Sequence, residues 1–568
     1  MILQALNDYY QRKALDPESG MAPEGFEWKG IPFIVVIDRD GHFIGVEDTR
    51  EGDGKKRRPR SFLVPAAVKR TVNIKANLLW DTIDYALCAN PRGRDDVVAR
   101  HEDFKARIKK DIVEHEDSKA LLKFLDSSPV SQIEGSIKDL ELWKEMNESN
   151  GNVIFRIDGS LSTSICDSLA QSINRNETSG NDLCLVSGKR STIALIHPSL
   201  KGVRDAQSAG AALLSFNHPA FRSYGKYQNL NSPVSDAAAF AYTTALNLLL
   251  SRDSRNKVQV GDATTVFWAE KKTDFEENFF SFWSVDRDDP DKGIRAVESL
   301  LKSPYTGAGV PDGNIRFFVL GLSPNAARIS VRFWHTGTVS EFAEKIRQHF
   351  KDLEITKPKK DKGSYALYFL LSDIALEEKA ENIPPNLAGN VMQSILSGGP
   401  YPATLLQQAV RRIRAKQDVR RTQAAVLKAC LNRQRRFQNT QIGEEITVAL
   451  DPNNTNAGYR LGRLFAALEK IQEDAQPGIN ATIRDRFYGA ASSSPISVFP
   501  QLLKLKNHHL AKLDNPAFRT VHEKRLGEIF GGLNPDMPAH LAMEDQARFA
   551  VGYYHQRQAF FAKSDKSE

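Results

Sequence analysis

Apolar side chains at Ile2, Leu3, Leu6, Tyr9 and Tyr10 recur at three- and four-residue spacing, which predicts a short amphipathic helix over residues 2–13. The period then changes to that of strands. In IPFIVVIDRDGHFIGVEDTR two β-rich runs flank Asp40-Gly41, and an Asp-Gly between such runs marks a hairpin with its turn at Asp38–Gly41. The following EGDGKKRRPR holds five basic residues among the six at 55–60, and its glycines and proline predict a solvated loop. From Lys75 to Leu87, and from Asp95 to Leu125, helical spacing returns among many charges.

After Gly151 the texture is β-rich: NVIFRID, DLCLVSG and TIALIHP are short runs bounded by turn residues. Ser235–Asp253 is apolar almost all round and predicts a buried helix. VQVGDATTVFWAE reads as a second hairpin. Asn314–Leu353 reads as strand, turn, strand, helix, an order that resembles part of a ferredoxin-like or RNA-recognition-motif unit, with YALYFLLSDIA as a further apolar segment. From about Pro402 helical periodicity dominates to the end, and no short internal repeat is evident. The fold class is α+β and multidomain, a mixed N-terminal and central β-rich region followed by a C-terminal helical bundle. The expected regions are 1–150, 151–400 and 401–568.

At roughly 150 residues per domain, 568 residues exceed one core, and 41% hydrophobic with 26% charged residues excludes wholly disordered, collagen-like and coiled-coil chains. The net charge of +7 is too small to identify a partner by itself. Four scattered cysteines, Cys88, Cys166, Cys184 and Cys430, with no C-x-x-C pair, favour a reducing cytoplasmic location. The longest apolar runs fall far short of a bilayer span, and MILQALNDYYQRK has no secretory character.

The common catalytic signatures fail in turn. Gly54-Lys55 and Gly188-Lys189 lack the upstream glycine of a phosphate-cradling loop, and Lys56 and Arg190 stand where it needs a hydroxyl. No G-x-G-x-x-G follows a strand, and G-x-S-x-G and H-E-x-x-H are absent. His101-Glu102-Asp103 and His115-Glu116-Asp117 cannot converge on one ion from consecutive helical positions and read as a solvated face; His508-His509 has the same weakness. Cys166, Cys184 and His197 read as buried structural residues. No metal site and no cofactor is expected.

What stands out is electropositive. Val64–Asp81 places Lys69, Arg70, Asn73, Lys75 and Asn77 close together just after KKRRPR. Such a segment can hold phosphates through its cations and read groove edges through Asn amides, or it is an ordinary helix start with flanking charges. His197–Asn217 mixes Lys201, Arg204 and Gln207 with Gly202, Ser208 and Gly210, as contacts to phosphate or base, or as a tight connection into a core element. Tyr224, Lys226 and Tyr227 follow and either stack unpaired bases or belong to the core. Ala403–Phe437 carries ten basic residues against one acid, Asp418. Read as one basic helix, it buries Val410, Ile413, Val419, Val426 and Leu427 and exposes a stripe including Arg411, Arg412, Arg414, Arg420, Arg421, Arg435 and Arg436, suited to salt-dependent backbone binding.

MILQALNDYY, GFEWKGIPFIVVIDRDGHFIGVEDTREGDGKKRRPRSFLVPAAVKRT, ANLLWDTIDYAL, HPSLKGVRDAQSAGAALLSFN and VSDAAAFAYTTALNLLLSRDSRNKVQVGDATTVFWA resemble the large subunit of the subtype I-C CRISPR surveillance complex, Cascade. The resemblance runs on through LDPNNTNAGYRLGRLFAALEKIQ. It implies a non-catalytic subunit that meets the 5′ handle of the guide RNA, recognises the protospacer-adjacent motif in duplex DNA, helps open it and recruits a helicase-nuclease. Implied partners are the guide RNA, target double-stranded DNA with its displaced strand, the backbone and handle-processing subunits, and a small subunit; no membrane is involved. The small subunit is implied to arise by internal translation of the C-terminal portion. No Met lies between Met392 and Met537, so a start near residue 448 needs a non-AUG codon, with Val448 the candidate. Within that frame Asn73, Lys75 and Asn77 are expected to read the motif and Lys69 and Arg70 to anchor phosphates. Lys201, Arg204 and Gln207 are expected on the RNA handle, and the arginines of 411–436 on DNA backbone. The rivals are a nucleic-acid-processing nuclease with an unrecognised active site and a purely architectural subunit.

Overall fold

The computed structural model describes residues 1–52, 57–68, 70, 73–136, 140–173, 180–283, 295, 312–358, 366–438, 445–533 and 536–561. The chain forms two compact units, one of residues 1–200 with 214–248, the other of 201–213 with 249–568.

In the first unit α1 (Ile2–Ala14) buries Ala5, Leu6, Tyr9 and Tyr10, the face set by its apolar spacing. The strands β1 (Phe26–Gly30), β2 (Phe33–Ile37) and β3 (Phe43–Asp48) follow, then a small ribbon of β4 (Arg50–Glu51) and β5 (Arg58–Pro59), and β6 (Ser61–Pro65), which pairs with β1. The hairpin at Asp38–Gly41 forms as the sequence predicts. Gly41 has φ +85°, and a Cβ there would lie 2.8 Å from the Ala120 carbonyl, so turn and packing both need glycine. Every residue of β2 is buried because it is central, antiparallel to β3 and parallel to β8 (Asn152–Ile157), with β7 (Trp80–Thr82) beyond. β8 completes a sheet begun by β2, so the boundary expected at residue 150 falls inside the first unit.

The helix expected over 75–87 is replaced by loop 73–79, β7 and a single helical turn, α2 (Ile83–Ala86). Asp81 is the reason: its carboxylate accepts the N–H groups of Asn77 and Thr82 (2.8 Å each), a local alternative to helical bonding. The stretch 95–125 divides into α3 (Val97–Asp111) and α4 (Glu116–Asp126), and His115 caps α4 by accepting the Asp117 N–H (3.1 Å). α5 (Pro129–Glu134) and α6 (Leu140–Ser149) lead to β8, and α7 (Ile165–Ser168) follows it. DLCLVSG yields only β9 (Asp182–Leu183), paired with β10 (Arg190–Ser191), and TIALIHP only an isolated bridge of Ile193 with Ser235. Both segments spend single bonds on the stretch before α8 (Asp236–Leu249), Leu185 N–H on the Pro233 carbonyl and Ala194 N–H on that of Val234 (2.9 Å each). α8 is the expected helix.

In the second unit β11 (Lys257–Val260), β12 (Ala263–Ala269), β13 (Arg316–Asn325) and β14 (Arg328–Thr338) pair antiparallel in chain order. A sequential meander is not the crossed strand order of a ferredoxin-like unit, so that expectation is corrected. α9 (Asp274–Phe279) packs its Phe279 on Phe267 (4.6 Å between ring centroids) and Phe317 (4.9 Å). α10 (Val339–Leu353) starts in a capping box, Thr338 Oγ1 accepting the Glu341 N–H (3.2 Å) and Glu341 accepting the Thr338 N–H (2.9 Å). Then come α11 (Leu367–Ile374), α12 (Leu387–Ser397), α13 (Ala403–Lys416), α14 (Arg421–Gln438), α15 (Ala457–Ala475), α16 (Ile483–Ala491), α17 (Pro495–Ala511), α18 (Pro516–Phe530) and α19 (Met543–Ala559). One apolar core runs from the sheet into these helices, across the boundary expected near 400. α15 and α19 meet on glycines: a Cβ on Gly462 would lie 2.0 Å from the Phe549 carbonyl, and one on Gly552 2.1 Å from that of Tyr459. The expected α+β arrangement with a helical C-terminal part is present.

Candidate nucleic-acid interface

Residues 73–79 form a loop, fastened at its base by Arg70, β7 and α3. The Asp81 side chain is fully buried, takes the Arg70 guanidinium as well as two backbone N–H groups, and is pushed above the usual carboxylate range by burial while Arg70 and those donors pull it back. Arg70 Nε donates to the Lys75 carbonyl (2.6 Å), and its guanidinium lies 4.1 Å from the Tyr85 ring centroid. From α3, Asp103 accepts the Ala76 N–H (2.6 Å) and Arg107 donates to the Ala76 carbonyl. Trp80 Nε1 donates to the Pro65 carbonyl (2.8 Å), and Lys29 Nζ stands 5.2 Å from the Trp80 ring.

Within this frame the expected site residues separate. Asn73 and Lys75 are exposed at the tip. Asn77 is buried, its side-chain oxygen accepting the Val68 N–H (3.0 Å), and in this conformation it shapes the loop and presents no amide to a groove. Arg70 is exposed, with its guanidinium paired to Asp81 and lying over the Tyr85 ring. Lys69 lies outside the described residues. Exposed cations nearby in the chain are Arg57, 3.4 Å from Asp48, with Arg58 and Arg60. No sequence pattern points to the Asp103 and Arg107 clamp, since its partner is a backbone group 27 and 31 residues away.

Lys201, Arg204 and Gln207 are exposed on a segment held against the second unit's sheet. Gly202, at φ +89°, approaches Leu250 so closely that a Cβ would lie 2.4 Å from its carbonyl, and the Arg204 N–H donates to Thr264 Oγ1 (3.0 Å). Arg204 lines a cavity of about 450 Å³ with Trp283, Tyr368 and Pro384. Asp205 and Asp262 line it too, so its charge does not single out a phosphate.

The basic stretch is two helices, not one. Gln417, with φ +53°, ends α13, and α14 starts at Arg421. Nor is there a continuous cationic stripe. Arg412 is buried against Glu378 (3.1 Å); Arg420 pairs with Asp373 (3.0 Å) and Glu378 (2.9 Å); Arg436 pairs with Asp352 and Glu445. Arg433 and Lys428 are also buried, and Arg433 donates to the carbonyls of Gly399 (2.6 Å) and Ser394 (2.9 Å). Acids distant in the chain fold onto these cations, which local charge counting cannot register. Arg411 and Arg414 remain exposed, Arg414 3.4 Å from Gln546, whereas Arg421 and Arg435 are half-buried.

His101 is corrected from solvated face to core: both ring nitrogens meet backbone carbonyls, of Tyr85 (2.9 Å) and Leu125 (3.1 Å). Cys166, Cys184 and His197 are buried as expected, although none lies in a strand. Among the described residues no cluster of three or more His, Cys, Asp or Glu side chains could hold a metal ion, and no helix is long and apolar enough to cross a membrane.

The chain is a CRISPR-associated protein: the family model of that description matches residues 6–561. It belongs to the Cas_Csd1 family, in agreement with the resemblance to the large subunit of subtype I-C Cascade. A comparison with curated proteins returns no match.

Proposed function

We propose that this chain is the non-catalytic large subunit of an RNA-guided Cascade complex and reads the protospacer-adjacent motif with Asn73 and Lys75 of the 73–79 loop. The observation that carries the reading is the contrast between those two residues and the base of the loop. Asn73 and Lys75 are exposed, while Asp81, Arg70, Asp103, Arg107 and Trp80 hold the backbone beneath them. A groove-reading amide gains discrimination when its backbone is already ordered, because less freedom is lost on binding. Arg58 and Arg60 are added as phosphate contacts, because Arg70, though exposed, spends its guanidinium on Asp81 and Tyr85. Lys201, Arg204 and Gln207 serve the guide-RNA handle, and Arg411 and Arg414 the backbone of DNA in the opened duplex. The small subunit and the helicase-nuclease are the expected protein partners.

The test is a gel shift of the assembled complex on duplex DNA with and without the motif. Replacing Asn73 and Lys75 by Ala weakens motif-containing duplex by roughly ten-fold or more, from about 1–3 kcal/mol per good base contact, while guide-RNA assembly is unchanged. Equal affinity for the motif would refute the assignment, and metal-dependent cleavage of DNA or RNA by the isolated chain would refute the non-catalytic role.

A further inference from the structure

We propose that the loop His218–Tyr227 of the first unit is a stacking site for an unpaired base of a single-stranded polynucleotide, with Tyr224 as the stacking ring. Residues 217–227 are all exposed, and Tyr224 is 97% exposed. Ser223–Lys226 is a tight turn closed by the Lys226 N–H on the Ser223 carbonyl (3.0 Å), with positive φ at both central positions, +52° at Tyr224 and +69° at Gly225. This is the type I′ signature, whose first central position favours Asn or Gly. An aromatic residue there is strained by its backbone and gains no burial, so nothing within the fold accounts for it.

The loop is ordered before any ligand arrives. Asn231 accepts the Ser223 N–H (2.9 Å) and donates to the carbonyls of Lys226 (3.3 Å) and Gln228 (2.7 Å), closing the loop beneath the turn. The Arg222 guanidinium lies 5.0 Å from the Tyr227 ring centroid, which holds a cation beside the tip.

Composition identifies the ligand class. Between Asp205 and Asp236 the sequence has no acid, and Arg222 and Lys226 flank Tyr224. Exposed aromatic rings with cations and hydrogen-bonding residues suit bases and phosphates. Tyr and Arg are enriched at protein interfaces as well, so it is the absence of any acid from residue 206 to 235, beside Arg222 and Lys226, that favours a polyanion.

This inference rests on the nucleic-acid reading above, and its test separates the two. Anisotropy of labelled oligo(dT), oligo(U) and an abasic strand is measured with the full chain at low salt. Tyr224→Ala and Tyr224→Asn weaken the base-bearing strands by about ten-fold, as expected for the removal of one stack, and leave the abasic strand unchanged. Tyr224→Phe keeps wild-type affinity. Tyr224→Asn also raises the melting temperature, because Asn suits the left-handed position, and this excludes misfolding as the cause. Either base-bearing strand behaving so supports the site, and preference between them names the strand. Equal affinity of Tyr224→Ala for every strand, or equal losses on the abasic strand, overturns the site. If the wild-type chain binds no strand, the nucleic-acid reading falls with it.

Discussion

Arg70→Ala tests whether the loop beneath Asn73 and Lys75 is held by charge. The substitution leaves the fully buried Asp81 carboxylate with the Asn77 and Thr82 N–H groups and a long bond from the Thr82 hydroxyl (3.4 Å), and removes the Lys75 hydrogen bond and the Tyr85 contact. Removing one partner of a fully buried pair costs about 3–5 kcal/mol. The Arg70 side chain is 30% exposed, so water re-enters and the expected cost is lower, about 2 kcal/mol. Two kilocalories correspond to roughly thirty-fold faster local opening. Hydrogen exchange of a peptide spanning 66–82 reads this directly, because the Asn77 amide is bonded to Asp81 and the Ala76 amide to Asp103. Adding Asp81→Asn to Arg70→Ala recovers much of the protection, since the stranded charge is gone. Motif binding falls with the protection, because the tip loses its ordered base. Unchanged exchange in Arg70→Ala, or a double variant less protected than the single one, would refute the account.

The exposed and buried arginines of α13 and α14 are expected to behave oppositely. Arg411→Gln with Arg414→Gln lowers the slope of log affinity against log salt by about 0.7–0.9 for each phosphate that is no longer neutralised; an unchanged slope rules out backbone binding there. Arg433→Ala instead lowers the unfolding midpoint of the second unit and leaves the slope alone, as its donors are spent on Gly399 and Ser394. The second unit is also acid-labile. Burial lowers His349 to about 3, aided by Arg433, and His555 to about 4, aided by Lys428, against 6.5 unfolded. Both stay neutral in the fold while the unfolded chain takes up protons, so their contribution is intact above pH 6.5 and is lost as pH falls toward 4. The loss is about 1.4 kcal/mol per pH unit for each histidine. Urea midpoints that fall no more steeply in the wild type than in a His349→Gln, His555→Gln variant would contradict this.

Much of the architecture is local and therefore legible from the chain. The period of Ile2–Tyr10, the Asp-Gly of the first hairpin, the Thr338–Glu341 capping box and the helical C-terminal part each depend on residues near one another in sequence. The Asn73–Lys75 tip is likewise legible as a cluster of amide and cation after a basic run. How its neighbours are used is not, because Asp81 draws the Arg70 guanidinium to itself and the Val68 N–H holds Asn77 inside. The expected arginine stripe fails for the same reason: Asp352, Asp373 and Glu378 lie far back in the chain and neutralise cations that look unopposed in a one-dimensional count. Tyr224 reverses the lesson, since its ring suits core or surface equally until the turn at Gly225 puts it in water. Residue type and spacing carry propensity and chemical capacity over a few residues. Partnership and exposure arise from long-range packing, where a charge acquires its counterion or keeps its water.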